Sequence, residues 1–215
     1  MLSRRRYMPS LQRYGHLVIK AVFGLRVTGV EKVPRTGGLL MASNHISELD
    51  PPVLGSCIPR IVHFMAKSEL FRGRAATWFF ARLNAFPVDR KRIDRASLRT
   101  AESILLSQGA LLMFPEGTRS HDGRALRPKP GIGMLVQRTG VPVLPIFIHG
   151  TDRPLGALLR RPRFSVSLGD PIAPEEMTDA AGDGGFASIA ELIMERILET
   201  GAKAGLAAEA ERSAN

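Results

Sequence analysis

A histidine and an aspartate lie five positions apart in the segment Asn44-His45-Ile46-Ser47-Glu48-Leu49-Asp50. An imidazole accepts a proton from a hydroxyl near neutral pH, and a carboxylate on its other ring nitrogen fixes the tautomer that does so. On a continuous helix the two side chains would point about 140° apart, so they can meet only in a non-helical turn. Pro51 and Pro52 favour such a turn. The alternative is a surface His45 and an Asp50 that caps the following helix.

The pair has no neighbouring protein nucleophile. Ser47 is not set in a Gly-x-Ser-x-Gly elbow, and we expect it to hydrogen-bond within the turn, which Asn44 helps to support. A base without a protein nucleophile suggests that the nucleophile is a hydroxyl of the substrate itself.

A second segment, Phe114-Pro115-Glu116-Gly117-Thr118-Arg119-Ser120, carries residue types that suit an anion. Gly117 allows the backbone to approach a ligand closely, Thr118 offers a hydroxyl, and Arg119 offers a bidentate fork for phosphate. Glu116 would repel an anion unless it pairs with a cation or with a substrate hydroxyl.

Arg90 at another strand end and Lys129 near the next helix start add positive charge to this second segment. Together these residues predict a phosphate pocket. The alternative is a solvated basic rim.

Strands and helices alternate around both segments, which predicts one α/β domain with a mostly parallel central sheet flanked by helices. The domain is expected at 27–200, between an N-terminal amphipathic, membrane-associating helix at 1–26 and a polar tail at 201–215. Predicted strands are 27–33, 38–43, 61–66, 85–88, 110–114, 141–148 and 164–168. Predicted helices are 8–25, 51–57, 69–83, 94–107, 132–138 and one that includes 186–198.

Two of these elements carry further expectations. The prolines of strand 141–148 suggest an edge or a bulge. Helix 69–83, with Ser68 as N-cap, carries Trp78 and three phenylalanines, and an aromatic stripe at helical spacing is usually core. The alternatives are an acyl tunnel or contact with a bilayer.

The chain has 215 residues and a formal net charge of +10. Such a charge favours nucleic acid, an anionic membrane or acidic partners. Nucleic acid is disfavoured, because no recognised binding motif and no interleaved aromatic residues accompany the basic ones. The single cysteine, Cys57, indicates a reducing compartment, no spacing suggests a metal site, and no apolar run is long enough to span a membrane.

Four segments in order resemble the blocks of the glycerolipid acyltransferases, in particular the 1-acyl-sn-glycerol-3-phosphate acyltransferases. They are Asn44 to Asp50, Pro87-Val88-Asp89-Arg90, Phe114 to Ser120, and Val141-Pro142-Val143-Leu144-Pro145. The resemblance covers about residues 30–150. It implies that His45 is the general base and that Asp50 orients it. It also implies that the acceptor's phosphate is bound by Arg90, Glu116, Gly117, Thr118 and Arg119, with Lys129 as a further candidate.

The implied reaction moves a fatty acyl group from acyl-coenzyme A or acyl-carrier protein to the hydroxyl of a lysophospholipid, 1-acyl-sn-glycerol 3-phosphate, with no bound cofactor and no metal. The same chemistry on glycerol 3-phosphate, a lyso-ornithine lipid, another lysophospholipid or a glycolipid is the alternative. A non-catalytic basic module is the rival from another class, and it has no use for a base with an orienting carboxylate. The expected location is the inner face of the cell membrane, bound peripherally to anionic lipid.

Overall fold

Strands and helices alternate along the chain. The computed structural model describes residues 9–88, 95–120, 124–158 and 163–213. Within these ranges the strands are Arg26–Thr28 (β1), Leu39–Ser43 (β2), Val62–Lys67 (β3), Ala85–Val88 (β4), Ala110–Met113 (β5), Val143–His149 (β6) and Ser165–Leu168 (β7). The α-helices are Pro9–Phe23 (α1), Asp50–Cys57 (α2), Arg74–Arg82 (α3), Arg95–Leu106 (α4), Gly131–Thr139 (α5), Pro154–Leu158 (α6), Pro174–Ala181 (α7) and Gly185–Ser213 (α8).

The strands form one sheet in the order β1-β7-β6-β2-β5-β3-β4. Neighbouring strands are parallel except β6 and β7, which run antiparallel. Strand β2 lies at the centre, and all of its residues are buried, as expected for a strand covered on both faces. The prediction of one α/β domain with a mostly parallel sheet is confirmed. The turn that contains His45 follows β2 at the middle of one sheet edge.

Helices cover both faces of this sheet. Because successive side chains of a strand point to opposite faces, Leu39 and Met41 of β2 pack on one face with residues of α2. Leu40 and Ala42 pack on the other face with residues of α4, α5, α7 and α8. The central strand is therefore clamped between two apolar layers, which fixes the position of the turn that follows it.

Strand β6 lies between β7 and β2, so the expectation that its prolines mark an edge or a bulge is wrong. Pro142 precedes the strand, and Pro145 is in register with Ala42 of β2. The Pro145 carbonyl accepts a hydrogen bond from the N–H of Gly169 at 2.8 Å, on the β7 side. In an extended residue the N and the C=O point to the same side. The N–H that proline lacks would therefore point toward β7, one residue before the antiparallel pairing with that strand begins at Ile146. The pairing of β6 with β2 loses no hydrogen bond.

The helix predicted at 69–83 is divided. Residues Ser68–Phe71 form a 3-10 turn without a capping side chain, and α3 begins only after Gly73, whose φ of 85° lies in the left-handed region. Trp78 is 60% exposed, so the expectation that this aromatic side chain is part of the core is wrong.

Two other segments differ from the predicted boundaries. The strand predicted at 27–33 ends at Thr28, because Gly29 has a φ of 78° and a 3-10 turn, Val30–Lys32, follows it. Helix α8 continues through Gly201 to Ser213. Residues 201–213, which the sequence assigned to the tail, therefore extend the last helix.

Helix α1 packs against α2 and also exposes apolar side chains. Ile19 and Phe23 contact the apolar layer of that face, and the Gln12 amide donates to backbone carbonyls at the end of α2. Tyr14 and Leu17 are 68% and 62% exposed. None of the helices in the described ranges is long and apolar enough to cross a bilayer.

Candidate active site

His45 and Asp50 meet in the turn that joins β2 to α2. Residues 44–49 are not helical, and His45 Nδ1 lies 2.8 Å from Asp50 Oδ2. An ionised carboxylate only accepts hydrogen bonds, so Nδ1 carries the proton and donates it to Asp50. The lone pair of the imidazole is then on Nε2, where it can take a proton from a substrate hydroxyl. Both residues are buried, at 5% and 0% exposure.

The Asp50 carboxylate accepts hydrogen bonds on both oxygens. Oδ2 also accepts from the backbone N–H groups of Ile46 and Ser47, each at 2.8 Å. Oδ1 accepts from the hydroxyl of Thr151 at 2.5 Å. Helix α2 begins at Asp50 with prolines in its first turn and no capping side chain. Asp50 therefore closes the preceding turn, and the alternative role as a helix cap is wrong.

His45 is also held through its ring face and its backbone. The imidazole stacks on the Phe114 ring, with centroids 4.0 Å apart and planes 17° apart. The His45 N–H donates to Glu116 Oε1 at 3.0 Å, and the His45 carbonyl accepts from the N–H of Ser120 at 2.8 Å. The loop after β5 thus fixes His45 in place.

Glu116 has both carboxylate oxygens inside the protein. Oε1 accepts from the His45 N–H, and Oε2 accepts from the N–H of Leu126 at 3.0 Å. Glu116 is 2% exposed. Burial raises the pKa of its carboxyl, and the hydrogen bonds from the two backbone N–H groups offset part of this increase. This geometry supports a positioning role for Glu116. The contact with phosphate that the resemblance implies stays a prediction.

Asn44 and Ser47 complete the turn. The Asn44 side-chain amide donates to the carbonyl of Ile148 at 2.9 Å and its oxygen accepts from the Ile148 N–H at 2.8 Å, which ties the end of β2 to the end of β6. The Ser47 hydroxyl accepts from the N–H of Leu49 at 3.2 Å. Both side chains therefore hydrogen-bond within the framework, as expected from the sequence.

The basic rim is formed by the loop after β5. Gly117 has a φ of 68°, and a Cβ there would lie 2.9 Å from the side-chain end of Lys129, so the glycine allows this lysine to cross the loop. Thr118 is exposed. Arg119 is partly buried and its guanidinium lies 3.2 Å from Glu48 Oε1. The structure thus brings Lys129, Gly117 and Arg119 to the loop that contacts the His45 backbone. Arg90 lies outside the described residues.

Thr151 is the site residue that the sequence analysis missed. It is fully buried and follows β6, so the neighbouring carboxyl ends of β6 and β2 bring it beside Asp50. The segment Gly150-Thr151 after an apolar strand is the only local signal, and it does not identify the partner. Among the described residues no cluster of histidine, cysteine and carboxylate side chains could hold a metal ion.

The chain is similar to a known protein family and to several characterised proteins. The family model described as Acyltransferase matches residues 24–149. The chain is 27% identical over 177 residues to the 1-acyl-sn-glycerol-3-phosphate acyltransferase of Bacillus subtilis, an alignment that covers 82% of this chain and 87% of that protein. It is 33% identical over 140 residues to the human 1-acyl-sn-glycerol-3-phosphate acyltransferase alpha, covering 60% of this chain and 48% of that one.

A solved structure is similar as well. The crystal structure of the 1-acyl-sn-glycerophosphate acyltransferase PlsC from Thermotoga maritima superposes with a TM-score of 0.64 and 28% identity. The superposition covers 85% of this chain and 78% of that chain. The likeness therefore extends over the sheet and the helices that build the site.

Proposed function

Since the chain belongs to the acyltransferase family, we propose that it transfers a fatty acyl group to the hydroxyl of 1-acyl-sn-glycerol 3-phosphate and so makes phosphatidic acid. The observation that carries the proposal is the pair formed by His45 Nδ1 and Asp50 Oδ2, at 2.8 Å. This pair leaves Nε2 as the basic atom. The relatives named for this reaction, at 27% and 33% identity, support the acceptor.

The reaction needs one base and no protein nucleophile. His45 Nε2 takes the proton of the acceptor hydroxyl while its oxygen attacks the carbonyl carbon of the thioester. The resulting tetrahedral oxyanion collapses, the carbon–sulfur bond breaks, and the thiolate leaves with the proton that His45 returns. Asp50 stabilises the transient imidazolium, and Thr151 and two backbone N–H groups hold Asp50 in place.

The acceptor's phosphate is placed at the basic rim. Arg119 and Lys129 supply cations, and Gly117 and Thr118 supply a close backbone and a hydroxyl. Glu48 holds the Arg119 guanidinium at 3.2 Å, so an entering phosphate competes with that carboxylate. Arg90 is assigned to the same phosphate because it lies in the second of the family's blocks.

The thioester donor is acyl-coenzyme A or acyl-carrier protein, and both are anionic, as is the lipid surface that holds the acceptor. The formal net charge of +10 suits all three. We place the enzyme on the inner face of the cell membrane, bound peripherally, because the acceptor is a membrane lipid and the single Cys57 indicates a reducing compartment.

The test is acyl transfer by the purified full chain, measured by mass spectrometry of the product. The panel combines each thioester donor with 1-acyl-sn-glycerol 3-phosphate, glycerol 3-phosphate, a lyso-ornithine lipid, another lysophospholipid and a glycolipid. We expect transfer to 1-acyl-sn-glycerol 3-phosphate to dominate and to be lost in His45→Ala. His63→Gln is the matched control, because His63 lies in β3, outside the site. We expect this variant to stay active.

Two outcomes would overturn the proposal. If the wild type and His45→Ala show the same background-level transfer to every acceptor, the proposed enzymatic activity is rejected. Strong transfer to another acceptor with none to 1-acyl-sn-glycerol 3-phosphate would reject the acceptor and keep the chemistry.

A further inference from the structure

Helix α3, the 3-10 turn before it and the residue after it expose large apolar side chains. Leu70, Trp78 and Leu83 are 41%, 60% and 37% exposed. An open groove lined by Gly73, Arg74, Thr77, Trp78 and Ala81 runs beside the indole. Scattered single apolar residues are common on protein surfaces, but an exposed tryptophan and two exposed leucines within one short segment of the chain are typical of a contact surface. The catalytic machinery does not use any of these side chains.

Arginines flank the exposed tryptophan. Arg74 and Arg82 lie four positions to either side of Trp78 on α3, which places all three on one stripe of the helix. The Arg82 guanidinium lies 4.6 Å from the centre of the Trp78 ring. No aspartate or glutamate occurs in the sequence between Leu70 and Val88. The stripe is therefore both apolar and positively charged.

The position of α3 relates this stripe to α1. The connections β2–α2–β3 and β3–α3–β4 both lead across the sheet in the same direction. Crossover connections between parallel strands are right-handed, so α3 lies on the face of the sheet that carries α2. Helix α1 packs on that same face and exposes Tyr14 and Leu17. Two separate elements on one side of the sheet thus expose apolar surface.

We propose that Leu70, Arg74, Trp78, Arg82 and Leu83, here called the Trp78 surface, insert into the interface of an anionic phospholipid bilayer. Tryptophan favours the level of the lipid headgroups, where its ring is half apolar and half polar. The two arginines pair with lipid phosphates at that depth, and the leucines reach the acyl chains.

The proposal rests on the proposed function in one respect, that the acceptor is a membrane lipid. An acidic carrier protein is the other class of partner with complementary charge. The bilayer is favoured because the exposed apolar side chains are spread over α3, its preceding turn and α1, an extended discontinuous surface that suits a fluid interface.

The chain offers a direct probe, because Trp78 is its only tryptophan. The full-length protein is mixed with vesicles of phosphatidylglycerol and phosphatidylcholine, with and without bromine on the acyl chains. We expect a blue shift of the emission, quenching by the brominated lipid and protection from acrylamide in water. Neutral phosphatidylcholine vesicles and high salt are expected to reduce all three effects.

A charge-reversal pair tests the arginines. Arg74→Glu with Arg82→Glu is compared with Arg95→Glu with Arg99→Glu, two exposed arginines of α4 on the opposite face of the sheet. In sedimentation with anionic vesicles we expect at least about a tenfold weaker partition for the α3 pair than for the α4 pair. Circular dichroism checks that both variants are folded. Acyl transfer to a water-soluble short-chain acceptor is expected to be unchanged in both.

Other results would overturn the proposal. Vesicle-bound protein whose Trp78 emission is unshifted and fully open to acrylamide would show that this surface stays in water. A shift with acidic carrier protein and none with vesicles would assign the surface to a protein partner. Insertion of Trp78 by a chain that acylates no acceptor would reject the proposed function alone.

Discussion

Thr151 donates a hydrogen bond of 2.5 Å to Oδ1 of Asp50, across 101 positions of the chain. The other carboxylate oxygen accepts from His45 and from two backbone N–H groups. Asp50 is thus held on both of its edges, and rotation of the carboxylate would break one set of bonds. The hydrogen bonds that orient His45 therefore include one from a residue that lies beyond the segment matched by the family model, residues 24–149.

Thr151→Val is expected to lower kcat about tenfold with little change in KM. The variant keeps the shape but removes one hydrogen bond of about 1–1.5 kcal/mol, and about 1.4 kcal/mol corresponds to a factor of ten in rate. Thr151→Ser keeps the hydroxyl and is expected to keep the rate. Steady-state kinetics of both variants across pH provide the measurement. An unchanged kcat in the valine variant would show that the bond has no part in positioning the base.

Asp50→Asn is expected to reduce kcat by about 10³-fold or more, by analogy with the loss of the orienting aspartate in serine proteases. The amide can present its NH₂ group to the imidazole, which favours the wrong tautomer of His45. Kinetics are read together with the thermal unfolding midpoint, so that a folding defect is recognised. A folded variant with less than a tenfold loss would contradict the assigned role of Asp50.

Glu116→Gln is expected to destabilise the fold by about 1 kcal/mol. The amide retains one acceptor for two buried N–H groups, and an unpaired buried donor costs about 1–3 kcal/mol. Removal of the buried charge offsets part of that cost. Urea unfolding measures the change, and Glu31→Gln, at a carboxylate in the 3-10 turn after β1, is the control. A variant as stable as the control would mean that the backbone N–H groups of His45 and Leu126 do not need the carboxylate.

His63 is expected to make folding stability depend on pH. Burial lowers the pKa of His63 below its ordinary value of 6.5, partly offset by a hydrogen bond with the carbonyl of Ala110. As pH falls through 6.5 the unfolded chain binds a proton on His63 before the folded chain does, so stability decreases until pH reaches the lower folded-state pKa. Denaturant unfolding at about pH 7.5 and about pH 5.5 should show a smaller drop for His63→Gln than for the wild type. Equal drops in the two proteins would reject this assignment.

Cys57 is expected to be unreactive in the folded protein. Burial raises the pKa of its thiol to about 12, and its Sγ donates to the carbonyl of Val53 at 3.2 Å. Since the thiolate is the reactive form, an aromatic disulfide reagent should label the chain only after denaturation, with one thiol per molecule. Rapid labelling under native conditions would contradict this expectation.

Much of the framework could be predicted because its signals are local. The apolar run before Asn44 predicts a buried strand, and β2 is that strand. The turn between His45 and Asp50 is not helical, as the pairing of the two side chains requires. The prolines are not the cause, since Asp50 and Pro51, the residues that they restrict, lie in the first turn of α2. The strand pattern depends on neighbours in sequence, so composition and spacing are sufficient to read it.

The remaining features depend on residues that are distant in sequence. The bond from Thr151 to Asp50 exists only because β6 lies beside β2, and no local pattern predicts that order of strands. Pro145 is accepted in the interior of the sheet because its missing donor faces the β7 side, where the antiparallel pairing begins only at Ile146. The inward orientation of Glu116 could not be predicted either, because its partners are backbone N–H groups, which a sequence does not distinguish.

The parts of the site leave the ribosome in sequence order, although β2 and β6 are neighbours in the sheet. His45 and Asp50 are synthesised early, whereas Thr151 and the Ile148 backbone that Asn44 grips are synthesised about a hundred residues later. Until β6 emerges and docks, His45 has Asp50 as its partner, but Asp50 lacks the hydrogen bond from Thr151. A nascent chain therefore carries the complete first motif before the hydrogen bond from Thr151 to Asp50 can form.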